Sequence, residues 1–452
     1  MNLIAPPDYM FLAMESREHP MHVGGLELFT PPAGAGPDFA RNLYERLLAE
    51  PEVAGMFRRR VGSATTTPRA LTWTDDSDVD LSYHVRLSAL PRPGRIRELL
   101  ETVSLWHSSL LDRHRPLWEI NIVEGLEDGR FAVYTKIHHA LADGVSALKL
   151  LQNTLVTDPH DLRVPSPFAP RSRSDRTASR STLSALRSAA KLSLDTAAII
   201  PHAGRIGLKA ALADQVPLPL RAPRSMFNVP IGGARRFAGQ SWRIERLKAL
   251  STALDCTLND VVLGMCSGAL RSYLLEQDAL PDKPLISLVP VSLRQKGANG
   301  SNAVGAVLAS LGTHKPDPLD RMHEITRTIA LAKDMMGGLS QLQALALSAA
   351  FVSPFAISSI TGASQAVPPT FNVVISNVPG PTQPLYWNGA RLDGIYPASI
   401  VMDGLALNIT LTSNAENIDF GLVGCRRSVP HLQRLLIHLE SALQDLENAV
   451  GP

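Results

Sequence analysis

The stretch Lys136-Ile137-His138-His139-Ala140-Leu141-Ala142-Asp143-Gly144 concentrates the side chains best suited to moving a proton. It follows a strand-like run, Phe131-Ala132-Val133-Tyr134, and precedes a helical pattern over 145–156. An imidazole has an ordinary pKa of about 6.5 and is the natural general base near neutral pH. Successive side chains of a strand point to opposite faces, so two adjacent histidines at a strand end have different jobs. His139 is assigned to a reactive cavity, and His138 to packing or to orienting its neighbour. Asp143 falls near the start of the following helix, where negative charge is favoured. It either orients an imidazole or anchors the loop by pairing with an arginine. Gly144 is read as a position of close backbone approach or positive φ. Zinc is disfavoured: adjacent strand residues diverge where metal ligands must converge, and no third His or Cys stands at a convincing spacing.

Such a base needs a compartment that excludes water. At 452 residues the chain is too long for one ordinary core, and two large domains are expected. Apolar residues make up 45% and charged residues 19%, the balance of a packed globular protein. Lys plus Arg number 44 against 42 Asp plus Glu, which argues against nucleic acid as the main partner. Cys256, Cys266 and Cys425 form neither a disulfide framework nor a zinc pattern, so a reducing, cytoplasmic compartment is expected. The first residues lack the basic and apolar regions of a secretory signal. The greasiest stretch, 339–360, holds Gln341, Gln343, several serines and Pro354. It is expected to be a buried or interfacial helix, because a spanning one needs about 20 predominantly apolar residues.

Around the histidines the pattern alternates short strands and helices. Strands are expected over 21–29, 81–87, 117–123 and 131–137, the last two joined by the polar turn Glu127-Asp128-Gly129. Helices are expected over 39–48, with Leu43 and Leu47 inward, and over 96–111, with Leu99, Val103, Trp106 and Leu110 as the apolar stripe. Proline, serine and arginine without periodicity begin at Pro165, and a second proline-rich boundary spans 217–223. The expected division is residues 1–164, a linker with a helical segment over 165–225, and residues 226–452. In the last part Thr257 caps a helix over 258–274, strands cover 285–291, 372–376 and 406–413, and an amphipathic helix over 429–446 closes the chain.

Several spaced motifs resemble the bacterial wax ester synthase/diacylglycerol acyltransferase family, within the superfamily of CoA-dependent acyltransferases. His138, His139, Asp143 and Gly144 meet its His-His-x-x-x-Asp-Gly pattern in full. Its Pro-Leu-Trp motif stands as Pro116-Leu117-Trp118, and its Asn-Asp segment as Asn259-Asp260. Val289 to Arg294, Ile375 to Pro381 and the opening residues from Pro7 to His22 are also similar. The resemblance implies an α/β, two-domain chloramphenicol-acetyltransferase-like fold, with mixed sheets, outer helices and an interdomain tunnel. It implies that His139 deprotonates an alcohol, which attacks the thioester of an acyl-CoA directly, with acyl-CoA as co-substrate and no permanently bound cofactor or metal. Asp143 then supports the site architecturally.

The other motifs carry two readings each. Trp118 is a core aromatic or a channel wall. Asn259 and Asp260 cap a helix or contribute to the site. Ser376 and Asn377 belong to a structural turn or donate to the developing oxyanion. Arg294 holds Asp143 or meets a CoA phosphate. Implied substrates are long-chain acyl-CoA with diacylglycerol or a fatty alcohol, at the periphery of a membrane or lipid inclusion; a homodimer is admitted. Rival readings are an acyltransferase of the same superfamily with another alcohol or a carrier-bound donor, and a non-catalytic lipid-surface protein.

Overall fold

The computed structural model describes residues 2–50, 52–63, 71–170, 217–292, 304–337, 339, 341–361 and 365–451. Helix α1 (Pro6–Met14) follows the short strand β1 (Asn2–Leu3), which joins β3 (Arg59–Ser63) and β4 (Leu71–Asp75) in a small sheet ordered β1-β4-β3. The first large sheet contains β2 (His22–Thr30), β5 (Val85–Ala89), β6 (Trp118–Glu124) and β7 (Phe131–His138). Its order is β12-β13-β2-β7-β6-β5, and β12 (Tyr386–Trp387) and β13 (Ala390–Ala398) arrive from the far half of the chain. The second large sheet, β10-β9-β11-β14-β15-β8, comprises β8 (Arg235–Arg243), β9 (Ile286–Ser292), β10 (Val304–Ser310), β11 (Val373–Val378), β14 (Leu407–Asn414) and β15 (Asn417–Cys425). Both sheets are mixed: β5 runs parallel to β6, and β11 parallel to β9 and β14, while the remaining pairs are antiparallel.

Helices cover both sheets. On the first lie α2 (Phe39–Leu48), the helical turn α3 (Leu81–His84) and α5 (Gly144–Gln152), while α4 (Ile96–Ser108) packs mainly against β8 of the second sheet, its Ser104 and Ser108 hydroxyls accepting from the Phe237 and Arg235 N–H groups. On the second lie α6 (Ile244–Ala253), α7 (Leu258–Glu276), α8 (Pro318–Gly337), α9 (Gln341–Thr361) and α10 (Arg434–Val450). One core joins the two halves: Leu26, Ala132 and Tyr134 of the first sheet belong to the same apolar cluster as Val289, Ile375 and Leu422 of the second. The opposite face of the first sheet packs Val23, Val133 and Ile137 against Leu43 and Leu47 of α2 and Leu148 and Leu151 of α5. This is the two-domain α/β architecture with mixed sheets and outer helices expected from the sequence.

Local differences have local causes. The stretch 81–87 begins with a helical turn because Asp80 accepts hydrogen bonds from the main-chain N–H groups of Ser82 and Tyr83; only 85–89 is strand. Helix α4 stops at Ser108, leaving Leu110 43% exposed, and the buried polar side chains Ser104 and His107 take the inward positions instead. Helix α5 stops at Gln152 rather than Val156. The loan of β12 and β13 to the first sheet means that residues 1–164 do not build their sheet alone, while every strand of the second sheet comes from residues 226–452. The expected helical segment over 183–212 lies outside the described residues. Among the described residues no helix is long and apolar enough to cross a membrane.

Candidate active site

Strand β7 lies between β2 and β6, and this central place fixes the two histidines. The His138 N–H donates to the Leu117 carbonyl at 2.9 Å, and the His139 N–H to the Met21 carbonyl at 2.8 Å. Consecutive amides thus bond to chain on opposite sides, as extended backbone requires, and the two rings diverge. His138 is fully buried. Its Nδ1 accepts the Ala140 N–H at 3.0 Å, closing the tight loop after the strand. With Nδ1 an acceptor, the ring proton belongs on Nε2. That nitrogen lies 3.2 Å from Oε1 of Glu15, whose other oxygen receives the Arg113 Nε–H at 2.8 Å. The His138–Glu15 contact is bent, with the N–H not aimed squarely at the oxygen. Burial raises the Glu15 pKa, but hydrogen bonds and charge from His138 and Arg113 outweigh it and leave the carboxyl below its ordinary range.

His139 is only partly buried. The Phe11 ring of α1 stacks on it at 4.1 Å between centroids and 20° between planes. Desolvation lowers its pKa from 6.5 to about 4, opposed by the negative charge of Asp143 and by its own main-chain carbonyl. The imidazole is therefore neutral at physiological pH and able to accept a proton.

Asp143 is the N-cap of α5, its carboxylate accepting the Ser146 N–H at 2.7 Å. One acid thus closes the helix and supplies negative potential toward His139. Gly144 needs correction: its φ is not positive, and a Cβ built on it would meet nothing within 4 Å. It is the first helical residue beside open space, rather than a point of strain or close approach.

The Pro-Leu-Trp segment acts from beneath. The Leu117 carbonyl holds His138, while Trp118 pairs in register with Ile137 and donates its indole N–H to the Phe57 carbonyl at 2.8 Å. Trp118 is 2% exposed and stacks on His84, so it is a core aromatic. On α7, Thr257 is the cap and Asp260 completes a reciprocal capping box; Asn259 takes no part in it. The second oxygen of Asp260 is buried without a hydrogen-bond partner. Ser376 is partly buried and Asn377 exposed on β11 of the second sheet. Arg294 lies outside the described residues. Among the described residues, no group of three or more His, Cys, Asp or Glu side chains is arranged to hold a metal ion.

Sequence pattern did not reveal Phe11, Glu15 or Arg113, which meet the histidines only through the fold. Nor did it reveal the polar layer behind them. Lys136, 2% exposed, contacts Glu119 at 3.3 Å and donates to the carbonyls of Trp106 and Ser109, at 3.1 Å each. His107 is held by the Tyr134 hydroxyl and the Ser399 carbonyl. A lysine within an otherwise apolar strand was the one available signal.

Two mixed sheets with outer helices, with a His-His pair at the end of a central strand, fit the fold of the CoA-dependent acyltransferases. Residues 4–262 match the model of the wax ester synthase/diacylglycerol acyltransferase catalytic domain, and residues 300–447 match that of the family's C-terminal domain. The chain belongs to this family. A probable diacylglycerol O-acyltransferase of Mycobacterium tuberculosis is 55% identical over 457 residues, covering all of both chains. The O-acyltransferase WSD of Acinetobacter baylyi is 41% identical, covering 100% of this chain and 98% of its own. The solved wax ester synthase/diacylglycerol acyltransferase from Marinobacter aquaeolei VT8 superposes with a TM-score of 0.82 at 42% identity, over the whole of both chains. The first condensation domain of the CDA synthetase, 12% identical with a TM-score of 0.55, shares the fold alone.

Proposed function

We propose that this protein is an acyl-CoA-dependent O-acyltransferase that makes triacylglycerol from diacylglycerol, wax esters from long-chain alcohols, or both. The observation that carries this reading is the His139 imidazole: neutral, partly accessible, and fixed at the end of β7 beside the Asp143 cap. The acceptor hydroxyl gives its proton to the imidazole as its oxygen attacks the thioester carbonyl carbon. The C–O bond forms, the C–S bond breaks, and the proton passes to the departing thiolate. The transient imidazolium is favoured by the negative charge of Asp143, which acts in a weakly screened environment. No acyl-enzyme is required.

The remaining roles are part of the same proposal. The chain parses as residues 1–164, 165–225 and 226–452, with a tunnel between the two large units. Arg294 meets a CoA phosphate; Ser376 or Asn377 serves the oxyanion; Asn259 and Asp260 shape the wall. The passage is assigned to the face of the second sheet that α9 covers, where Leu347 and Phe351 meet Val307, Leu308, Met335 and Met336 around a small apolar pocket. Each buried methylene of an acyl chain contributes about 0.8 kcal/mol. Peripheral contact with a membrane or lipid inclusion, on its cytoplasmic side, is supported by apolar side chains beside the site: Leu3 is 72% exposed, and Tyr9 and Met10 on α1 are 40% and 42% exposed.

An acceptor panel tests the reading. Purified protein with palmitoyl-CoA is given diacylglycerol, hexadecanol or water alone. Ester should form with the alcohols, and thiol release should require an acceptor. Equal thiol release in water would make the protein a thioesterase.

A further inference from the structure

Both histidines of the pair are tied to one element distant in sequence. His139 touches α1 through the Phe11 ring, and His138 touches the end of α1 through Glu15. Arg113 holds the same helix twice, donating from Nε to Glu15 at 2.8 Å and from Nη2 to the Leu12 carbonyl at 2.6 Å. Leu12 is 1% exposed and packs with Trp73, Leu111, Leu117 and Ala140, so the inner face of α1 is anchored where the outer face is open.

Stacking covers the face of an imidazole but leaves its in-plane lone pair free. A ring held this way keeps its plane, and its nitrogen keeps its aim, while water is kept from one side. We propose that Phe11 is a positioning residue that fixes the plane of His139 and excludes water from it, with the Glu15–Arg113 pair holding the helix that carries Phe11. This rests on the acyltransferase reading and deepens it, because it says what sets transfer against hydrolysis. Without Phe11, water takes the place of the alcohol. It gives its proton to His139, its oxygen bonds to the acyl carbon, the C–S bond breaks, and free acid and thiol leave.

The test compares wild type with Phe11→Ala, Phe11→Tyr and Glu15→Gln, using palmitoyl-CoA with and without hexadecanol. Ester and free acid are quantified separately, and the pH dependence of ester formation is recorded. Phe11→Ala should raise the ratio of hydrolysis to transfer at least tenfold and move the acid limb of the profile upward from about 4 toward 6.5. Phe11→Tyr, which keeps the ring, should restore both. Glu15→Gln should move the ratio in the same direction by a smaller factor, and it keeps the test open where the alanine variant does not fold. A ratio unchanged within twofold in the folded variants, whatever the loss of total rate, overturns the proposal. Absence of acceptor-dependent ester in the wild type would instead remove the acyltransferase reading itself.

Discussion

The lowered pKa of His139 has a direct kinetic consequence. The base works only when neutral, so activity is lost as pH falls through its folded-state value of about 4, rather than through the ordinary 6.5. The difference corresponds to roughly 3 kcal/mol of preference for the neutral ring. At pH 5 an imidazole with a pKa of 4 is about 90% neutral, whereas one at 6.5 is about 3% neutral, a gap of about thirtyfold. Initial rates of ester formation from radiolabelled palmitoyl-CoA and hexadecanol, at low substrate and across pH 4 to 8, report this value as the acid limb of kcat/KM. The profile should be flat from pH 8 to near 5. Return of samples from each pH to pH 7 before assay separates titration from unfolding. A reversible limb centred between 6 and 6.5 would refute the claim that desolvation, dominant over Asp143, sets the state of the base.

Asp143→Ala should lose the α5 cap at a cost of about 1 kcal/mol in thermal or denaturant unfolding, and lose rate as well; Asp143→Asn should keep the cap and lose only the part of the rate due to charge. Equal destabilisation by both variants would contradict the capping role. Glu27, 0% exposed with neither carboxyl oxygen hydrogen-bonded, is pushed by burial up to about 8. Below its unfolded-state pKa both states hold the proton and no penalty arises. As pH rises from 4.5 to 8, the unfolded state ionises while the folded one does not, so stability falls. Glu27→Leu should therefore stabilise the protein by roughly 3–5 kcal/mol at pH 8 and by much less at pH 5, measured by urea unfolding. A pH-independent effect would contradict the assignment.

What the sequence revealed and what it hid divide along a physical line. The divergence of His138 and His139 follows from the two-residue period of a strand. The cap at Thr257 follows from the needs of helix-end amides, whereas Asp143, expected to orient an imidazole or to pair with an arginine, proved to be the cap of α5. Trp118 was legible only as a large aromatic, core or wall; its indole partner, the Phe57 carbonyl, lies 61 positions away and was not legible. What was legible is local. The contacts of Phe11 on His139, Glu15 on His138 and Lys136 on Glu119 join residues 17 to 128 positions apart, and no periodicity encodes them. The passage of β12 and β13 into the first sheet was hidden for the same reason: alternation marks a strand but not its neighbour. Gly144 was misread because a glycine after an aspartate signals a turn as readily as the open first turn of a helix.

The most direct measurement concerns His139 itself. Single-turnover acyl transfer from palmitoyl-CoA to hexadecanol is compared between wild type and His139→Ala, alongside acyl-CoA binding by calorimetry. Loss of a positioned general base typically costs about 10²- to 10⁴-fold in the chemical step. A fall of that size with binding preserved is expected. A variant that still transfers at near the wild-type rate would contradict the assignment of His139 as the base.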